Sequence, residues 1–172
     1  MTGPAELDIE RMLEALVAHE VDFVVIGALA VAYHGFVRAT ADVDIVPNPS
    51  EPELRKLWKA LAALEAQPLA LRDFRPEERP APFTLEELLG LGSWDLTTRH
   101  GRLDILQYVE GAVEGEADYV RLRDRAESLR YSFGRVWVVG YDDLIDLKTI
   151  AGRDQDLVDI RALAEARGEA GR

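Results

Sequence analysis

Asp42, Val43 and Asp44 place two carboxylates two residues apart within a strand-like run, Asp42 to Val46. Side chains alternate across a strand, so residues two apart share a face and stand about 6.6–6.8 Å apart along it. The two acids therefore address one point, while Val43 and Ile45 turn into a core. A rigid wall of paired carboxylates suits holding magnesium against a substrate triphosphate; the same short pattern also arises on a solvated edge strand. A third acid, Asp104, interrupts the apolar run Leu103 to Leu106. A charge among such neighbours is costly unless it binds a metal or pairs, here with Arg102 or Arg38. Gly27 ends an earlier apolar run and hands over to the small-residue segment Ala28 to Tyr33, where free helix amides and the helix dipole favour phosphate oxygens. Arg38 and Thr40 precede the paired acids, placed to contact phosphate or acceptor, or in the case of Arg38 to neutralise the aspartates. Lys148 is one of three lysines against seventeen arginines, on an otherwise apolar helix face with Leu144, Leu147 and Ile150. Its ammonium can reach a triphosphate or extend to solvent. His34, at the end of a short helix, reads as structural rather than as a general base.

The elements that must position these groups follow from periodicity. Pro4 to His19 has the apolar spacing of an amphipathic helix, and Val21 to Ile26 reads as a buried strand ending at Gly27. The helix from Ala28 returns the chain beside that strand before Asp42, which makes the phosphate turn and the paired acids neighbours. Pro47, Asn48 and Pro49 stop the second strand, and Ser50 is placed to cap a helix lined by Leu54, Leu57, Trp58, Leu61 and Leu64. Pro68 to Pro82 reads as a surface loop or flap, and Thr84 to Leu89 as a short capped helix. Trp94–Thr98 and Arg102–Tyr108 form a hairpin around His100 and Gly101; Leu129–Phe133 and Arg135–Val139 form another around Gly134. A helix covers Ala117 to Ser128, and two more close the chain, over Asp142–Ala151 and Asp154–Ala166. In that last pair Arg153 and Asp154 supply a cap and an ion pair, while Asp156 and Asp159 serve packing or pairing. Trp58, Trp94 and Trp137 are core anchors. The fold class is α/β (α+β): a mixed sheet with helices on one side and a C-terminal helical pair. Residues 1–140 form the catalytic domain, and residues 141–172 pack on it.

Composition narrows the chemistry. With 172 residues, 48% hydrophobic and 30% charged, the chain is an ordinary globular domain. It has no cysteine, which excludes thiol nucleophiles and iron–sulfur or cysteine–zinc sites, and its three histidines leave little for a soft metal. A hard cation on carboxylates is the metal to expect. A net charge of −12 disfavours a broad polyanion-binding surface, so any RNA contact must be local, with Arg72, Arg75 and Arg79 the one candidate patch. The longest apolar run, Phe23 to Tyr33, is eleven residues, short of the roughly 18–20 that span a bilayer. No basic leader precedes it, and the expectation is a cytoplasmic protein with no membrane association.

Taken in order, Ile26-Gly27-Ala28-Leu29-Ala30, His34-Gly35, Arg38-Ala39-Thr40, Asp42-Val43-Asp44-Ile45 and Leu103-Asp104-Ile105 resemble the nucleotidyltransferase superfamily of polymerase-beta type. They are most similar to its small bacterial group of minimal nucleotidyltransferases and abortive-infection toxins. Asp146-Leu147-Lys148, Ala151-Gly152-Arg153 and Asp156-Leu157-Val158-Asp159-Ile160 resemble that group's carboxy-terminal signature, so the likeness spans about Val24 to Leu163. It implies that Asp42 and Asp44 bind two magnesium ions and that Asp104 is the third metal-binding carboxylate, the one that activates an acceptor hydroxyl. Gly27, Ala28, Arg38, Thr40 and Lys148 would bind the nucleotide. The family usually carries glycine or serine after the turn glycine; Ala28 keeps the close backbone approach but lacks the hydroxyl. The implied reaction moves a nucleoside monophosphate from a nucleoside triphosphate to a hydroxyl on a transfer RNA 3′ end, a protein or a small molecule, within a toxin–antitoxin pair or outside one. Two other readings stand beside it. One is a catalytically weak module of the same fold acting through a toxin or antitoxin partner. The other is a sugar-nucleotide glycosyltransferase using Asp-x-Asp, disfavoured by the glycine turn, the third acid and the short chain.

Overall fold

The computed structural model describes residues 6–69, 83–90 and 92–168. Asp8 accepts the Arg11 amide at 3.0 Å and caps the first helix, α1 (Ile9–Ala18), whose Met12, Leu13 and Leu16 are buried. β1 (Phe23–Val25) is buried throughout and leads through Ile26 into α2 (Gly27–Tyr33). β2 (Asp42–Pro47) runs one residue into the proline that was expected to stop it. Ser50 stands at the N-terminus of α3 (Glu51–Ala63) without a capping side-chain bond; Asn48 instead accepts the Ser50 amide through its side chain at 3.0 Å. After β3 (Gln67–Pro68), Thr84 and Glu87 form a reciprocal capping box on α4 (Leu85–Leu89). The hairpin β4 (Ser93–Thr98) and β5 (Gly101–Leu106) follows, then α5 (Glu116–Asp124) and the hairpin β6 (Glu127–Tyr131) and β7 (Gly134–Val138). α6 (Tyr141–Ala151) ends at Gly152 in the left-handed conformation, and α7 (Asp154–Ala166) follows at once.

The seven strands make one mixed sheet in the order β3-β4-β5-β2-β1-β7-β6. β2 runs parallel to β5 and antiparallel to β1, and β1 runs parallel to β7. Register and alternation assign the faces. Val43, Ile45, Leu103, Ile105 and Leu96 are fully buried on one face, each such side chain worth about 1.5–3 kcal/mol relative to exposure. Gly134, Val136 and Val138 share that face, and a Cβ on Gly134 would meet Val17 of α1 at 2.8 Å, so α1 covers this side. Asp42, Asp44 and Asp104 project from the other face, as does Trp137, whose ring lies 3.7 Å beneath the Arg123 guanidinium of α5. α6 shares a cavity with the acids on this second side. The expectation of helices on one side therefore gives way to helices on both. The reason is that β1, β2 and β5 keep apolar residues on the acid face as well, Val24, Val46 and Leu106 among them, and these also need cover. No helix of the described residues is long and apolar enough to cross a membrane. Arg72, Arg75, Arg79 and the proline-rich stretch from 70 to 82 lie outside the described residues.

Candidate functional site

The site is built on two adjacent strands. In the β2–β5 register Asp42 lies beside Arg102 and Asp44 beside Asp104, with neighbouring strands about 4.8 Å apart. The β4–β5 register adds Asp95 directly beside Asp104. Asp44, Asp104 and Asp95 thus step across three strands on one face. They border a cavity of about 400 Å³ that is also lined by Gly27 and Ala28 and by Leu144, Leu147 and Lys148 of α6.

Each acid is held differently. Thr40 Oγ1 donates towards Asp42, 3.0 Å from its carbonyl oxygen and 3.2 Å from its carboxylate Oδ1, which fixes the strand entry. The Asp44 carboxylate packs against Gly27: a Cβ there would fall 1.9 Å from Asp44 Oδ2, and Gly27 has φ +64°. Both facts require glycine, and both tie the turn to the acid. Burial, then repulsion from Asp42, raises the Asp44 carboxyl to about 6. Burial, then repulsion from Asp44, Asp95 and Asp42, raises Asp104 to about 7, against the attraction of Arg102. Arg102 Nη2 stands 3.8 Å from Asp42 and 3.6 Å from Asp104, too far to satisfy either, and Asp104 Oδ1 is buried with no hydrogen-bond partner.

The cations form a second group. Lys148 is buried and pairs with Asp156 at 2.9 Å and Asp159 at 2.7 Å. Arg38 forks onto Asp159 through Nε and Nη2 at 2.8 and 2.9 Å, so it turns to α7 rather than to the three strand aspartates. Arg153 pairs with Asp156 at 2.8 Å. Burial works to raise Asp159, but hydrogen bonds from Arg38, Lys148 and Gln155 outweigh it and hold the carboxyl at about 2. His34 donates Nε2–H to the Val139 carbonyl at 2.8 Å and lies edge-on to Tyr33 and Tyr141, a packing role.

Among the described residues no group of three or more His, Asp or Glu side chains converges into a cage that would enclose an ion unaided. Hard divalent ions such as magnesium commonly take one or two carboxylates and complete their shell with water and substrate phosphates. The unpartnered Asp104 oxygen and the elevated Asp44 and Asp104 carboxyls are what a cation would relieve, so the donor set fits a hard divalent ion. Asp95, Arg153 and the two acids of α7 are members of the site that residue types alone do not reveal.

The fold is that of solved nucleotidyltransferase structures. Residues 7–165 match the family described as nucleotidyltransferase of unknown function (DUF6036), and the chain belongs to that family. Its fold is shared with three solved structures of low sequence identity. The Thermotoga maritima nucleotidyltransferase-type protein TM1012 superposes with a TM-score of 0.53 at 16% identity, covering 91% of this chain and 90% of that one. The lincosamide antibiotic adenylyltransferase LnuA, lincomycin-bound, gives 0.57 at 15% identity over 91% and 96% of the chains. ANT(2″)-Ia in complex with adenylyl-2″-tobramycin gives 0.55 at 13% identity over 93% and 87%. No curated protein matches the chain.

Proposed function

We propose that this protein is a magnesium-dependent nucleotidyltransferase that moves a nucleoside monophosphate from a nucleoside triphosphate to the hydroxyl of a small molecule. The observation that carries the reading is the strand register that sets Asp44 beside Asp104 on one face, with Asp42 at the next outward position. Asp42 and Asp44 would hold the metal, with Asp104 as a further ligand. Bound magnesium would supply neutralisation of charge on the attacking and leaving oxygens of an in-line displacement at the α-phosphorus. The chain's own part is placement. The Gly27–Ala28 turn lets the backbone approach the phosphates closely, and Lys148 and Arg38 line the same cavity. Asp104, on the face that borders the cavity, receives the proton of the acceptor hydroxyl. The acceptor oxygen then bonds to the α-phosphorus, the bond to the bridging oxygen breaks, and pyrophosphate leaves.

A small-molecule acceptor is favoured over an RNA 3′ end by the net charge of −12 and by Asp95 beside Asp104, which repel a polyanion where the acceptor must enter. The structures of similar fold include enzymes whose described ligands are lincomycin and adenylyl-2″-tobramycin, and hydroxyl-bearing compounds of that size belong in the acceptor screen. The test is calorimetry with each of the four triphosphates, with and without magnesium, on wild type and on Asp42→Ala with Asp44→Ala. Pyrophosphate release is then followed against small polyols, transfer RNA and hydroxyl-bearing peptides. Magnesium-dependent binding that the double variant loses is expected. Equal binding by both proteins, or pyrophosphate release with transfer RNA or a peptide as the sole competent acceptor, would overturn the reading or its acceptor.

A further inference from the structure

The first two turns of α7 invert the usual arrangement of an amphipathic helix, although Leu163 further along is fully buried. They leave Leu157 and Val158 about half exposed, at 49% and 50%, while burying Asp156 at 2% and Asp159 at 0%. A helix held only by packing would do the reverse, and buried ion pairs give no net stability over well-packed apolar side chains of similar size. Leu163 already supplies an apolar anchor for α7, which leaves the two buried carboxylates to be accounted for. Their partners account for them. Asp159 accepts both Nε and Nη2 of Arg38, the Lys148 ammonium and the Gln155 amide, all within 2.7–2.9 Å. Asp156 accepts the same ammonium and the Arg153 side chain. An ammonium has three N–H groups, so two carboxylates leave one, and Lys148 lines the cavity that the aspartates of β2 and β5 face.

We infer that Asp159 is a positioning residue of the nucleotide site: enclosed and out of reach of substrate, it holds the Lys148 ammonium and the Arg38 guanidinium at the lining of the cavity that the metal-binding acids border. The inference rests on the proposed nucleotidyltransferase reading and adds α7 to its machinery. It makes a prediction opposite in sign to simple charge counting. Removing the negative charge of Asp159 makes the cationic wall more positive, which by Coulomb attraction alone would tighten polyanion binding. Losing the aim of Lys148 and Arg38 loosens it.

The experiment is calorimetric titration of inorganic tripolyphosphate and of each nucleoside triphosphate, in magnesium, on wild type, Asp159→Asn and Asp159→Glu. Circular dichroism confirms the fold at the working temperature, and Mn²⁺ affinity is read separately by electron paramagnetic resonance. Asp159→Asn is expected to weaken triphosphate binding about tenfold or more, the size of one lost charge-assisted hydrogen bond. Asp159→Glu, which keeps the charge but shifts it by a methylene and so disturbs the aim, should recover only part of the affinity and remain about threefold to fivefold weaker than wild type. Mn²⁺ affinity should stay within about twofold in both, since the metal acids are untouched. A folded Asp159→Asn that binds triphosphate as well as or better than wild type overturns the inference while leaving the transferase reading intact. If Asp159→Asn does not fold, Asp159→Glu decides: weakened triphosphate binding with unchanged Mn²⁺ affinity supports positioning, and unchanged triphosphate binding overturns it. Failure of wild type to bind any triphosphate overturns the transferase reading and this inference with it.

Discussion

Replacing Asp104 with asparagine should stabilise the metal-free protein at alkaline pH while abolishing transfer. The Asp104 carboxyl is raised from its ordinary 3.8 to about 7 in the folded chain by burial and by its acidic neighbours. Between those two values the folded state holds a proton that the unfolded state has released, so stability falls as pH rises across that window. At 1.36 kcal/mol per pH unit the full shift is worth about 4 kcal/mol. The side chain keeps 16% exposure, and solvent screening brings the expected gain to about 2 kcal/mol. For a chain of this length that is a rise in Tm of about 4–8 °C. The assay is thermal unfolding of both proteins in chelator at pH 8 and pH 5. The gap should be complete at pH 8, fall to less than half at pH 5, where the folded carboxyl is protonated but the unfolded one is ionised, and close as pH falls to the unfolded value of 3.8. A variant that melts at or below wild type at pH 8, or a gap of equal size at both pH values, refutes the reasoning.

Three further expectations concern the surroundings of that acid. Gly27→Ala combines a left-handed φ with a Cβ that would overlap the Asp44 carboxylate; it should cost about 2 kcal/mol or more and abolish magnesium–triphosphate binding, and normal melting with normal calorimetry would contradict it. Thr40→Val removes the hydroxyl that holds Asp42; Mn²⁺ affinity should drop several-fold while stability changes by about 1 kcal/mol or less, measured by paramagnetic resonance and thermal melts. Asp159, held at about 2 in the folded chain, contributes stability that is complete above its unfolded value near 4 and is lost as pH falls towards 2. Acid unfolding followed by circular dichroism should show that limb in wild type and a flatter one in Asp159→Asn, and parallel acid limbs would refute the assignment.

Much of this was legible in residue order. The alternation of Asp42 to Ile45 foretells which side chains share a face, because strand periodicity allows no other arrangement. The boundaries of α7 and the Thr84 cap follow from local chemistry that tertiary packing did not override. Asp95 is less legible because its role depends on one residue of hairpin register. With Arg99 and His100 as a two-residue turn, Thr98 pairs with Gly101 and Asp95 meets Asp104; a three-residue turn would send Asp95 to the buried face. The partners of Lys148 were hidden for another reason. Asp159 lies 121 residues from Arg38 in the chain, and its contact with Arg38 and Lys148 depends on how α6 and α7 fold back over the sheet, which no local pattern specifies.

The shared register of β2, β5 and β4 also bears on how the sheet assembles. A slip of one position between any two of these strands would exchange the acid face for the apolar one on the slipped strand, forcing aspartates under α1 and α3 and stranding Val43, Ile45 or Leu103 in water. Misaligned intermediates therefore carry a penalty of several buried charges that the correct alignment avoids. The carboxylates assigned to chemistry thereby also disfavour misaligned pairings of these strands. Neutralising them should yield a protein that is more stable once folded yet less faithful in reaching that fold.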